Sequence, residues 1–169
     1  GLRPLAAAAM TGILARVVGK PGVNLVNALL LAQQRGIALR RVRLDPVGDY
    51  AQFLELKVST ETGGVRVAGA LLAAAHARLV RIDDYHVDIV PRGSLVILRN
   101  RDVPGVIGRV GSLLGDAGVN IGEYHQARLE AGGTALAAIS VDGRLPAGVA
   151  DRLRGLPEVT EVHEVFLES

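Results

Sequence analysis

The fold is decided by residues 100–108, which read Asn100-Arg101-Asp102-Val103-Pro104-Gly105-Val106-Ile107-Gly108. After one helix length the chain continues with Gly118-Val119-Asn120-Ile121. A helix starting at Pro104 fits this order, because proline suits the first helical position and glycine permits close approach to the backbone. The free N–H groups of that turn would attract a carboxylate, and Asp102 would accept hydrogen bonds from an ammonium group. The pattern therefore predicts either a binding site for the charged groups of an α-amino acid or a helix start that Asp102 only caps.

Composition narrows the class of protein. The 169 residues are 49% hydrophobic, which argues against disorder. The absence of cysteine excludes disulfides, thiolate nucleophiles and cysteine-ligated iron–sulfur clusters. The 19 basic residues are scattered, and three tyrosines, two phenylalanines and no tryptophan supply no stacking platform, so we expect no nucleic-acid partner. No uninterrupted apolar run is long enough to cross a membrane, so we expect no membrane partner and a cytoplasmic location.

The first half of the sequence indicates two helices followed by antiparallel strands. Helical composition covers residues 5–18, and a second helical pattern covers 23–34 and stops at Gly36. From residue 37 the apolar period becomes alternating. Turn residues separate the runs, which predicts strands over 37–44, 53–60, 65–72, 78–82 and 85–90. The last two strands form a hairpin through Asp83-Asp84, so this half is predicted to be an α+β unit with its helices leading.

The second half restarts in a different order after Pro91-Arg92-Gly93. The predicted elements are a strand over 95–98, a helix over 104–114, strands over 119–128 and 134–141, a helix over 147–153 and a strand over 159–167. This βαββαβ order is the ferredoxin-like arrangement. Gly132-Gly133 marks the hairpin between its second and third strands.

These motifs carry a family resemblance. Residues 94–169, with the two motifs quoted above, resemble an ACT domain, the small amino-acid-sensing module found beside many metabolic enzymes. Three further segments are similar to the intervening regulatory domain of the long-form D-3-phosphoglycerate dehydrogenase family: Gly22-Val23-Asn24-Leu25-Val26-Asn27-Ala28, Arg35-Gly36-Ile37 and Leu79-Val80-Arg81-Ile82-Asp83-Asp84-Tyr85-His86-Val87-Asp88.

The resemblance implies a domain organisation. An intervening, allosteric substrate-binding domain would cover residues 1–92, truncated at its N-terminus, and an ACT domain would cover 93–169. The catalytic domains of the family, with their NAD cofactor, have no counterpart in this sequence. It implies that the fragment is not itself an enzyme, holds no cofactor, and acts on the catalytic domains of a parent chain.

The resemblance also implies a ligand and the residues that bind it. The ligand would be L-serine, held where two ACT domains meet in a homo-oligomer. In this carry-over Asn100 and Asp102 of one chain act with Asn120 of the other, and Pro104 and Gly105 form a wall. An asparagine offers both a donor and an acceptor to a carboxylate or hydroxyl.

A second candidate site lies in the first half, because some relatives of the family bind substrate-like phosphate anions there. Arg78, Arg81 and Arg92 are possible anion partners through bidentate geometry, and the alternative is that they are solvated surface arginines. The four histidines lack the spacing of metal ligands. We therefore expect neither a catalytic residue nor a metal site.

Two alternatives to a serine-binding dehydrogenase region remain. The first is the regulatory region of an iron–sulfur L-serine dehydratase, which has related domains; the absence of cysteine argues against it. The second is an ACT-fold module that holds subunits together without binding a ligand.

Overall fold

The computed structural model describes residues 2–42, 52–73 and 76–167. The chain forms two compact units, Gly1–Asp45 and Pro46–Ser169. The predicted domain boundary between residues 92 and 93 falls inside the second unit, and it stays a prediction.

The first unit is helical. Its elements are α1 (Leu2–Val18), a 3₁₀ turn (Lys20–Gly22) and α2 (Ala28–Gln34). Met10 and Leu14 of α1 pack against Ala28 and Ala32 of α2, and all four side chains are buried. This contact confirms the prediction that two helices open the chain.

The helix predicted over 23–34 is shorter than expected, because two asparagines hold a turn before it. The Oδ1 atom of Asn24 accepts hydrogen bonds from the backbone N–H groups of Val26 and Asn27, at 2.9 and 3.1 Å. The Oδ1 atom of Asn27 accepts from the N–H of Asn24 at 2.8 Å. Asparagine side chains compete in this way with backbone helix bonds, so α2 begins only at Ala28.

The prediction of a strand over 37–44 is wrong for residues 37–42, which the structure describes. Residues 37–42 are exposed and lie outside any strand, while 43–44 fall outside the described residues. Alternating apolar residues form a strand only when a neighbour supplies hydrogen bonds, and no described strand pairs with residues 37–42.

The second unit contains two four-stranded antiparallel sheets. The first sheet is a meander in the order β1-β2-β3-β4. Its strands are β1 (Gln52–Thr60), β2 (Gly63–Leu72), β3 (His76–Ile82) and β4 (Tyr85–Ile89). All four match predicted strands to within two residues, and the turn at Asp83-Asp84 joins β3 to β4 as expected.

The second sheet has the order β6-β7-β5-β8. Its elements in chain order are β5 (Gly93–Arg101), α3 (Val106–Asp116), β6 (Ile121–Arg128), β7 (Thr134–Val141), α4 (Val149–Arg154) and β8 (Val159–Leu167). This is the predicted ferredoxin-like βαββαβ order, and the α+β fold class is confirmed.

Both faces of the second sheet are covered. On one face, Val110 and Leu114 of α3 and Leu153 of α4 pack against β5 and β7. Each of these side chains is fully buried, and such burial contributes about 1.5–3 kcal/mol per residue. The other face packs against β3 and β4 of the first sheet. Its buried cluster consists of Ile82, Tyr85, Val87, Ile89, Leu95, Ala127, Leu136 and Ala138. The two sheets therefore form one layered core.

Candidate effector-binding site

Asn100, at the end of β5, is the buried polar residue of the predicted site. It is 0% exposed, and it lies on the interior strand β5, where its backbone pairs with Ala135 and Val159. The Nδ2 atom donates to the backbone oxygen of Arg101 at 2.8 Å. No described residue donates to its Oδ1 atom. A buried acceptor without a donor is costly, so this oxygen is suited to a ligand donor.

Asp102 follows as the charged group of the turn. Its Oδ2 atom accepts hydrogen bonds from the N–H of Gly132 and from Nη1 of Arg128, each at 3.2 Å. The backbone bond from Gly132 and then the bond from Arg128 lower the pKa of Asp102 below its usual value. The carboxyl is therefore ionised at neutral pH. The Asp102 side chain is 17% exposed, whereas the side chain of Arg128 is 62% exposed.

Pro104 and Gly105 do not begin the helix, contrary to the prediction. Gly105 has φ of +87° and caps α3, which starts at Val106. A Cβ at Gly105 would lie 2.6 Å from Nη1 of Arg109, whose guanidinium is held by Glu158 at 2.7 Å. Glycine is favoured here by the left-handed backbone, whereas the Arg109 guanidinium lies at the end of a flexible side chain that can move aside. Both Pro104 and Gly105 are exposed, and their role as a wall of a site stays a prediction.

Asn120 lies far from this turn within one chain. It precedes β6, where Ile121 pairs with Val141, whereas Arg101 pairs with Thr134 at the other end of β7. Thr134 and Val141 are seven positions apart along β7, about 24 Å at about 3.4 Å per residue. The structure therefore brings Asn100, Asp102, Pro104 and Gly105 together, and leaves Asn120 at the opposite end of the strands.

Sequence reasoning missed a partner of Asn120. The Nδ2 atom of Asn120 donates to Oδ2 of Asp142 at 2.7 Å, and the N–H of Asp142 donates to the backbone oxygen of Asn120 at 3.0 Å. Arg128 and Asp102 form a second contact that was missed. Both pairs join residues more than 20 positions apart, so only the strand register brings them together.

The three arginines are divided between two places. Arg78 and Arg92 line one open groove beside His76 and Asp88. Arg78 pairs with Asp88 at 2.6 Å and with Glu123 at 3.0 Å, and these bonds, that from Asp88 first, raise its pKa. Arg81 is not among the residues lining the groove, and pairs with Glu55 at 3.5 Å. Carboxylates already contact two of the three predicted anion partners.

Two further features concern metal sites and membrane-spanning helices. The described residues contain no group of three or more His, Asp or Glu side chains arranged to hold a metal ion. Among the same residues no helix is both long and apolar enough to cross a membrane.

Comparison with known proteins identifies both halves of the chain. Residues 1–83 match the family model of the D-3-phosphoglycerate dehydrogenase intervening domain, and residues 94–158 match that of the ACT domain. A D-3-phosphoglycerate dehydrogenase of Synechocystis sp. is 33% identical over 165 residues, covering 98% of this chain and 30% of the relative. That of Bacillus subtilis is 32% identical over 145 residues, covering 86% and 28%. That of Methanocaldococcus jannaschii is 29% identical over 146 residues, with the same coverage.

The chain spans about 30% of the length of these relatives, in their C-terminal region. The 169 residues therefore do not include the catalytic domains of those dehydrogenases. The chain belongs to the D-3-phosphoglycerate dehydrogenase family and is a regulatory region of that family, with intervening-domain and ACT-domain sequences in succession.

Proposed function

We propose that the ACT domains of two copies of this chain pair and bind L-serine between them. Serine bound in this way would regulate a dehydrogenase. In the whole protein the catalytic domains would oxidise 3-phosphoglycerate with NAD in the cytoplasm, at the start of L-serine biosynthesis. The bound serine would be the end product of that route.

The observation that carries this proposal is that a buried, unpaired acceptor and an ionised carboxylate lie two residues apart at one turn. The Oδ1 atom of Asn100 is buried, and no described residue donates to it. Two positions later Asp102 is ionised, with the solvent-exposed Arg128 against it. An α-ammonium group carries a positive charge and three donors, which match the needs of an unpaired amide oxygen and a carboxylate.

The distance between Asn120 and this turn supports a site shared by two chains. Asn120 and the turn lie at opposite ends of the strands of one sheet, so one chain cannot close a ligand the size of serine between them. In a two-fold dimer each chain contributes its Asn100 end to one site and its Asn120 end to the other. Two equivalent sites per dimer follow.

Regulation requires that serine prefer one arrangement of the subunits. A ligand shifts an equilibrium only by its difference in affinity between the two states. A site built across a dimer binds serine with different affinity in different arrangements of the subunits. The reason is that a change in the subunit interface changes the distance between Asn100 of one chain and Asn120 of the other.

Calorimetric titration of the purified chain with L-serine tests the proposal. We expect saturation near one serine per chain, and loss of binding in Asp102→Asn, which removes the charge without changing the size of the side chain. Asp151→Asn is the matched control, because Asp151 is an exposed aspartate on α4. Absence of binding by the unmodified chain would favour the ACT fold as an interaction module without ligand.

A second candidate function is anion binding in the groove between Arg78 and Arg92. The observation in its favour is that both guanidinium groups line the same open groove. Titration with inorganic phosphate should then show saturable binding that Arg92→Gln weakens and Arg152→Gln leaves unchanged. Binding that is equal in all three chains would mean that these arginines are surface residues only.

The serine dehydratase alternative is set aside. The first-half match is to a dehydrogenase intervening domain, and the relatives compared above are D-3-phosphoglycerate dehydrogenases.

A further inference from the structure

The orientation of the Asn120 amide is fixed by the chemistry of its partner. Its Nδ2 atom lies 2.7 Å from Oδ2 of Asp142, and an ionised carboxylate only accepts hydrogen bonds. Rotation of the amide by half a turn would place two oxygens against each other. The amide therefore keeps its NH₂ group on Asp142 and turns Oδ1 away from it.

Asn100 is oriented by the same rule at the other end of the strands. Its Nδ2 atom donates to the backbone oxygen of Arg101, which also only accepts. The Oδ1 atom of Asn100 is left without a donor from any described residue. Both asparagines therefore use an amide N–H within their own chain and leave the oxygen for a ligand.

These orientations change what the site recognises. Together with the ionised Asp102, the side-chain oxygens of Asn100 and Asn120 make a set of three acceptors. Such a set matches ligand donors and repels a carboxylate, so a ligand carboxylate would lie at the N–H groups that open α3.

We propose that Asp142 is a positioning residue, which holds Asn120 with its oxygen toward the ligand. The acceptor set then selects an α-amino acid that carries a second donor, a hydroxyl group, over one that carries none. This inference rests on the proposed function, because it assumes that Asn100 of one chain and Asn120 of its partner meet in a pair of chains.

Two substitutions of Asp142 separate positioning from direct contact with the ligand. Asp142→Asn keeps an acceptor for Nδ2 of Asn120 but loses the charge. Asp142→Leu is close in size but has no acceptor, so the Asn120 amide becomes free to rotate. Each chain is titrated with L-serine and with L-alanine, which lacks the hydroxyl, and thermal unfolding checks that the fold is intact.

We expect Asp142→Asn to bind L-serine like the unmodified chain. Asp142→Leu should bind it roughly three- to tenfold more weakly, the effect of one ordinary hydrogen bond, and its preference for L-serine over L-alanine should fall. An equal loss in both variants would overturn the inference, because it would mean that the carboxylate itself contacts the ligand. An unchanged preference in Asp142→Leu would also overturn it, while leaving the proposed function intact. Failure of the unmodified chain to bind L-serine would remove both.

Discussion

Replacement of Asn100 by leucine should stabilise the ligand-free chain while abolishing its response to serine. Leucine has the same number of side-chain heavy atoms as asparagine and no polar atom. The buried Oδ1 atom of Asn100, for which no described residue supplies a donor, costs about 1–3 kcal/mol. The hydrogen bond from Nδ2 to the Arg101 oxygen contributes about 0.5–1.5 kcal/mol.

The cost of the unpaired Oδ1 atom is larger than the contribution of the Nδ2 hydrogen bond, so the leucine variant should be the more stable chain. The backbone oxygen of Arg101 still accepts from the N–H of Val103 at 3.0 Å, so removing Nδ2 does not leave it unpaired. We expect Asn100→Leu to raise the free energy of unfolding by about 1 kcal/mol, the difference between the two contributions. Sites built for a ligand often lower the stability of the free protein in this way.

Urea unfolding followed by circular dichroism measures this difference, and hydrogen exchange of β5 and β7 assigns it to the second sheet. Asn120→Leu is the matched control, because Asn120 is exposed and its replacement should change stability by less than about 0.5 kcal/mol. A loss of stability in Asn100→Leu would refute the reasoning, since it would mean that the buried oxygen already has a donor in solution.

Three further predictions concern the same turn and its surroundings. Gly105→Ala should destabilise the chain by about 1–3 kcal/mol in urea unfolding, because a residue with a Cβ is strained at its left-handed φ. Because the folded pKa of Asp102 is lowered, its stabilising contribution is full above its ordinary pKa of 3.8 and is lost as pH falls through the folded value. Urea midpoints measured below about pH 4 should therefore fall less steeply in Asp102→Asn than in the unmodified chain. Arg99, which pairs with Asp83 across the two sheets, should carry the effect of serine into β3 and β4. Serine should protect these strands from hydrogen exchange in the unmodified chain, and Arg99→Met should abolish that protection without preventing serine binding.

The strands and their order followed from the sequence because they depend on local patterns. Alternating apolar residues and separating turns predicted all eight strands of the second unit to within about two residues, apart from the longer extent of β5. The first turn of α3 was misplaced because glycine at a left-handed φ ends a turn as readily as it opens a helix. Asn24 and Asn27 shortened α2 through side-chain bonds that composition does not reveal.

The site was only partly predictable for a geometric reason. Asn100, Asp102, Pro104 and Gly105 are close in sequence, so the motif alone placed them together. The partners Arg128 and Asp142 depend on the register of β6 and β7, which no local pattern specifies. The packing of β3 and β4 against the second sheet likewise depends on contacts between distant segments.

Mixing two defective chains tests the central claim most directly. Asp102→Ala impairs one edge of the site and Asn120→Ala the other, so in a mixed dimer one site carries both defects and the second site carries none. With random pairing, half of the dimers are mixed, which gives about one intact serine site per four chains. We predict that neither variant alone binds L-serine in calorimetry and that the mixture does, near that ratio. If the unmodified chain binds serine and the mixture remains inactive, the site is not shared between two chains.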